Sequence, residues 1–125
     1  MAEKGERPEL IYVACPYSHD DPCMLEYRFH KVNHLVARLM AEYPGKVFFS
    51  PISHSHPIAQ YMGNHLDGGH WLKQDLAILG LFDEVWVYML DGWEDSDGIY
   101  TETEEAIKFN KPIMYVGDDL IVEAP

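Results

Sequence analysis

Val85-Trp86-Val87-Tyr88-Met89-Leu90 is a very apolar run, followed by the turn Asp91-Gly92-Trp93 and then by Ser96-Asp97-Gly98-Ile99-Tyr100-Thr101-Glu102-Thr103-Glu104-Glu105-Ala106. A run this apolar lacks the polar alternation of a strand with one wet face, so it reads as a strand buried on both sides. A strand that ends in a Ser/Gly turn and then opens a helix aims backbone N–H groups and an early carboxylate at a common point. An anionic ligand and a glutamate nucleophile can meet there.

The rest of the chain repeats the alternation of strand and helix. Leu10 to Ala14 is a short apolar run, and Val47 to Phe49 and Ile113 to Val116 are two more, with Leu120 to Val122 as a short edge strand. Between Cys23 and Tyr43, Leu25, Phe29, Val32, Val36, Leu39 and Met40 recur at helical spacing, and Tyr43-Pro44-Gly45 stops that helix. Leu72, Leu76 and Leu79 mark a second helix from Trp71 to Leu81, and Thr101 to Phe109 a third that ends before Lys111-Pro112. Ser50 to Gly69 shows little periodicity and is expected to be a long loop. Strands this apolar alternating with helices imply an α/β domain, with a four- to five-stranded parallel sheet covered on both faces in three α-β-α layers. Ligands in such sheets sit beyond the carboxyl ends of the strands. Polar residues of this chain concentrate there, in Cys15 to His19, Ser50 to Pro57 and Asp91 to Gly98.

Composition bounds the function. A chain of 125 residues, 47% hydrophobic and 24% charged, has room for one core. Residues 1–9 are polar and read as a flexible lead to a domain over residues 10–125. No apolar stretch approaches the roughly 20 residues that cross a bilayer, so no membrane partner is expected. Cys15 and Cys23 do not form a C-x-x-C pair, which fits reduced thiols and a cytoplasmic setting. The net charge of −12, from 9 basic and 21 acidic residues, argues against a nucleic-acid polymer. Any bound phosphate must be small and held mainly by backbone N–H groups and hydroxyls. Arg28 reads as a solvated helix residue, with a phosphate role as the minority option.

Glu102 is the leading candidate for chemistry. With the helix starting at Thr101 it falls in the first turn, where the helix dipole favours an ionised carboxylate. Such a group can attack an anomeric carbon to form a glycosyl ester, although acidic residues also decorate helix N-termini without function. Cys15, with no adjacent lysine or arginine, reads as inert. His54-Ser55-His56, with His65 and His70 nearby, could chelate a metal only if both rings faced one way, and no third ligand stands at a characteristic spacing. No metal and no cofactor are therefore expected.

From Tyr12 to Ala106 the chain resembles the nucleoside 2-deoxyribosyltransferase superfamily, particularly its 2′-deoxynucleoside 5′-monophosphate N-hydrolase branch. The resemblance rests on Tyr12 inside the first strand, on Trp71-Leu72-Lys73-Gln74-Asp75-Leu76, on Asp83 opening the third strand, and on Ser96, Gly98, Glu102 and Ala106. The chain is also similar to a small branch sharing A-C-P-Y-S, S-P-I-x-H-S-H-P and L-D-G-W-x-x-S-x-G. The resemblance implies a flavodoxin-like fold and a homo-oligomer acting on a small-molecule nucleoside or nucleotide. It implies that Glu102 is the nucleophile, that Tyr12 orients it, and that Asp75 protonates the departing base, which needs a raised pKa. Ser96 and Gly98 would hold the 5′ end of the substrate, and Tyr17, Ser18, His54, His56 and Asp83 complete the substrate-binding set. Pro16 and Ser18 stand where the monophosphate hydrolases carry a serine and an arginine, so the glycosidic chemistry is better supported than the phosphate. Two function classes follow: a cofactor-free N-glycosidase or transferase, or a protein that binds a nucleotide on the same scaffold without turnover. A metal-dependent hydrolase using His54 and His56 is a distant third.

Overall fold

The computed structural model describes residues 7–62 and 68–125. Its strands are β1 (Glu9–Ala14), β2 (Lys46–Phe49), β3 (Glu84–Tyr88), β4 (Ile113–Val116) and β5 (Val122–Glu123), and its helices are α1 (Pro22–Glu42), α2 (Pro51–Ala59), α3 (Gly68–Leu79) and α4 (Asp97–Lys108). The strands form one sheet in the order β2-β1-β3-β4-β5, the order of flavodoxin-like doubly wound folds. β1 runs parallel to β2 and β3, and β3 parallel to β4.

The central strands are buried on both faces, as their apolar runs require. Ile11, Val13 and Cys15 of the β1 segment join Trp86 and Tyr88 of β3 in a cluster with Val32, Leu35, Val36 and Leu39 of α1 and Ile52 of α2. The alternate residues Tyr12, Ala14, Val85 and Val87 face Leu79 of α3 and Ile99 and Ala106 of α4. This is the three-layer arrangement expected from the alternation of elements. The chain order reverses between β1 and β3, and a crevice opens there at the carboxyl ends of the strands.

Three elements differ from the expectation. β5 pairs antiparallel with β4. A parallel return needs a crossover of a dozen or more residues. The connection 117–121 is instead a tight turn, with the Leu120 N–H on the Gly117 carbonyl at 3.0 Å and Leu120 at φ 63°. The expected loop after β2 contains α2, capped by Ser50 accepting from the Ser53 N–H at 3.2 Å, with Pro51 in its first turn. Its buried stripe is Pro51, Ile52, Ser55 and His56, so a helical face exists but half of it is polar, which hides the periodicity. Finally, the lead belongs to the fold from Arg7 onwards. Glu9 opens β1, and the Arg7 guanidinium pairs with Asp83 at 2.8 and 3.0 Å.

That pairing places Asp83 at the amino end of β3, where its carboxylate also accepts from the Leu10 N–H at 2.8 Å. An Asp83→Ala variant leaves that strand N–H without its acceptor and is expected to lose about 1–3 kcal/mol of stability, measured by denaturant unfolding, with the opposite end of the sheet unchanged.

Candidate active site

The crevice is a cavity of about 810 Å³, within the size range of small-molecule sites. Every strand-end segment named from the sequence reaches it: Tyr17 and Ser18 after β1, Ser55 of α2 after β2, and Ser96 and Gly98 after β3. α3 closes it with Trp71, Leu72 and Asp75.

Glu102 stands at the floor. α4 begins at Asp97, capped by the Ser96 hydroxyl accepting from the Ile99 N–H at 3.2 Å. Glu102 therefore lies in the second turn, on the buried stripe Ile99, Glu102 and Ala106, and not in the first turn. The helix dipole has faded by that depth, and burial dominates instead. Glu102 is only 5% exposed. Its carboxyl is pushed up to about 8 by burial, with the Tyr12 hydrogen bond pulling down and the Asp75 charge pushing up. The expected ionised carboxylate is thus replaced by one that favours its proton while the cavity is empty.

Tyr12 reaches this carboxyl from β1, its hydroxyl donating to Glu102 Oε2. It is fully buried, with its ring held between Phe49 and Phe82, each 6.1 Å away between centroids. Burial first, then the charges of Glu102 and Asp75, hold its own pKa well above the ordinary phenol value, so it stays a donor. Asp75 lines the same cavity, and burial raises it to about 6. Two carboxyls with raised affinity for a proton face one space, the arrangement that acid–base work on a glycosidic bond requires.

The other predicted residues divide. Tyr17, Ser18, Ser96 and Gly98 line the cavity. His56 does not line it, yet it is buried and joined to it through the Tyr17 hydroxyl at 2.6 Å. His54 is exposed and rests near the Phe49 ring. Two residues apart on a helix, His54 and His56 point to different sides, so neither a shared metal nor a shared substrate contact is available to them. Among the described residues, no group of three or more His, Cys, Asp or Glu side chains could hold a metal. His65 lies outside the described residues. Asp83 is a correction: it secures the amino end of the sheet, whereas the cavity is at the carboxyl end.

Arg28 departs from the solvated helix residue that the sequence favours. It lines the cavity from α1, and its Nη1 donates to the Ser18 carbonyl at 3.2 Å. A Cβ on Gly92 would lie 2.8 Å from its Nη2, and Gly92 itself sits at φ +94°. Glycine is thus favoured in L-D-G-W by conformation, and the guanidinium packs against the space its missing side chain leaves. The Arg28 Nε is buried without a hydrogen-bond partner among the described residues. A signal was present: Arg28 lies three residues after Leu25 and four before Val32, on the stripe that faces the protein.

Residues 9–118 match the family model described as a domain of unknown function, DUF1937. The chain belongs to that family. No curated protein matches the DUF1937 chain significantly. Among solved structures, it is similar to a 2-deoxyribosyltransferase from the psychrotolerant bacterium Bacillus psychrosaccharolyticus, with a TM-score of 0.51 and 21% identity over 86% of this chain and 72% of the other. At that distance the likeness establishes a shared fold, the flavodoxin-like sheet with its flanking helices. No helix among the described residues of the DUF1937 chain is long and apolar enough to cross a membrane.

The raised Glu102 carboxyl has a consequence for stability. Its folded value of about 8 exceeds the ordinary 4.5, so the native state binds this proton more tightly than the unfolded chain. The stability this gives is full below about pH 4.5 and is lost as pH rises through about 8. Glu102→Gln is therefore expected to melt above the wild type, by a margin that widens between those pH values and reaches a few kcal/mol in order of magnitude. Melting curves of both proteins across that range test it.

Proposed function

We propose that this DUF1937 protein cleaves, or transfers across, the N-glycosidic bond of a (deoxy)nucleoside or its 5′-monophosphate, using Glu102 as the carboxylate that meets the anomeric carbon. The observation that carries the reading is the pair of carboxyls, Glu102 and Asp75, with raised pKa values in one cavity, the first oriented by the Tyr12 hydroxyl. The shared fold with a 2-deoxyribosyltransferase supports it.

The proton inventory of the pair constrains the mechanism. For Glu102 to attack, the proton must reside on Asp75, while the empty cavity prefers it on Glu102. Burial holds both carboxyls above their ordinary range, Glu102 the further of the two, so the reactive arrangement is the minor one until substrate binds. Substrate corrects this in two ways. Positive charge developing on the sugar favours ionised Glu102, and a base nitrogen or oxygen accepting a hydrogen bond favours protonated Asp75. Asp75 then gives its proton to the departing base as a Glu102 oxygen bonds to the anomeric carbon. Water or a second base resolves the ester.

An anionic 5′ substituent has two kinds of partner in the cavity. Arg28 brings a cation from α1, and the amino end of α4 adds N–H groups beside Ser96 and Gly98. Arg28 thereby supplies the guanidinium that the β1 loop lacks at Pro16 and Ser18. Trp71 supplies an aromatic wall for the base. Assembly with further copies of the chain would cover the exposed Tyr100 and Ile107 of α4.

Incubation with a panel of deoxynucleosides and deoxynucleotides, followed by chromatography of free base, tests the reaction. Base release is expected from the wild type, with a loss on the order of a hundred-fold or more in Glu102→Gln. Tight binding without released base, indifferent to that substitution, would establish a binding protein instead. Tyr12→Phe gives a second check with a defined sign. It removes the hydrogen bond that lowers the Glu102 pKa, so the falling limb of the kcat/KM profile, set by the higher pKa of the pair, is expected to move to higher pH while the maximum drops.

A further inference from the structure

The A-C-P-Y-S and S-P-I-x-H-S-H-P motifs meet at a contact that cleavage by Glu102 and Asp75 leaves unused. Tyr17 Oη lies 2.6 Å from His56 Nδ1, and His56 Nε2 lies 2.7 Å from Glu26 Oε2. Tyr17 lines the cavity, His56 is buried, and the Glu26 side chain on α1 is 51% exposed. The three groups form a continuous line from the cavity to solvent.

Their partners define the proton positions. An ionised carboxylate only accepts, so the proton of the neutral imidazole sits on Nε2, and Nδ1 accepts from the Tyr17 hydroxyl. Phe29 stacks on the His56 ring at 4.2 Å and 22°, which fixes its plane. The Gln60 amide also approaches Nε2, at 3.3 Å. The titratable groups around the ring are Tyr17, Glu26 and, one contact further, His30, whose Nε2 is 3.2 Å from Glu26 Oε1. Hydroxyl, imidazole and carboxylate stand in the order that activates a nucleophile in hydrolytic triads, with a phenol in the place of the serine. Burial and then the Glu26 charge hold Tyr17 above its ordinary pKa, so it enters the reaction as a phenol able to pass a proton along.

We propose that Glu26, His56 and Tyr17 form a proton relay serving the acceptor in the second half of the reaction, with Tyr17 as the group that deprotonates it. The inference rests on the glycosidic reading above. As the acceptor oxygen or nitrogen bonds to the anomeric carbon, its proton passes to Tyr17 Oη and the Tyr17 proton passes to His56 Nδ1. The bond from the anomeric carbon to Glu102 breaks with its electron pair returning to the carboxylate. His56 becomes an imidazolium beside Glu26, its Nε2 proton leaves to solvent at the exposed end, and the Nδ1–H ring exchanges protons with solvent to regain its Nε2–H form before the next turnover. Tyr17 is the catalytic residue in this step, and His56 and Glu26 are positioning residues.

Rapid-quench base release separates the two halves of the reaction. With water as acceptor and a deoxynucleoside that the wild type turns over, Tyr17→Phe is expected to keep a burst of about one base per enzyme. Its steady-state turnover should fall on the order of a hundred-fold or more, with the glycosyl ester on Glu102 visible by intact-protein mass. Glu26→Gln, a change at an exposed side chain, is expected to slow steady-state turnover with the burst intact and to shift its pH profile. Turnover of Tyr17→Phe within about twofold of wild type, or equal loss of burst and turnover, would overturn the relay while leaving the Glu102 reading in place. An absence of base release from the wild type on the whole panel would remove both.

Discussion

The buried hydrogen bond from Tyr12 to Glu102 is the constraint on which the rest of the site depends. It ties β1 to the helix that follows β3, across a cluster otherwise made of Ala14, Leu79, Val85, Val87, Ile99 and Ala106. A carboxyl in such surroundings is costly without a partner. The phenol supplies that partner while leaving the residue proton-hungry. Because both groups project from regular elements, their geometry is held by the β1–β3 register, which sets Tyr12 opposite Val85, and by α4 packing through Ile99 and Ala106. Loops build the remainder of the cavity around a centre they do not have to position.

The same centre explains why a strongly acidic protein admits an arginine to its cavity. Asp75, Asp95, Asp97 and Glu102 all line it, a field that repels anions. Arg28, seated against Gly92 and the Ser18 carbonyl, offsets that field at one end, where the α4 N-terminus lies. Asp95 and Asp97 flank Ser96 at that same end, so the guanidinium acts as a single cation set among carboxylates.

How much of this was legible in the sequence follows from the kind of signal each residue carried. Apolar runs such as Val85 to Leu90 and the helical stripe of α1 are set by burial, and they led directly to the layers and the crevice. Asp75, Ser96, Gly98 and Glu102 came to the same cavity, with Tyr12 bonded behind Glu102, because their segments meet where the chain order reverses between β1 and β3. What stayed hidden had polar residues doing buried jobs. α2 conceals its inner face behind Ser55 and His56, and Ser50-Pro51 was its only overt start signal. Arg28 occupies an inward position of α1 that a charged residue disguises. Asp83 was misplaced because a carboxylate at a strand's amino end looks the same in sequence whether it meets a ligand or an arginine. The pKa of Glu102 was misjudged because position along a helix says nothing about depth.

The two sides of the crevice divide the proton traffic. Glycosidic cleavage must deliver a proton to the leaving base and later remove one from the acceptor, and a single carboxyl can do both only if it is recharged between steps. Here Asp75 stands on α3, which packs with α4 on one face of the sheet through Leu79 and Ile99. His56 and Glu26 stand on α2 and α1, which cover the other face through Ile52 and Val32. Glu102 on α4, joined to β1 by Tyr12, stands on the same face as Asp75. A donor on one side and a solvent-connected proton path on the other let the reverse protonation of the carboxyl pair be relieved without the outgoing proton returning through Glu102. That separation is a product of the doubly wound fold itself: helices from opposite faces meet at the carboxyl ends of β1 and β3, and there alone can groups of both layers reach one ligand.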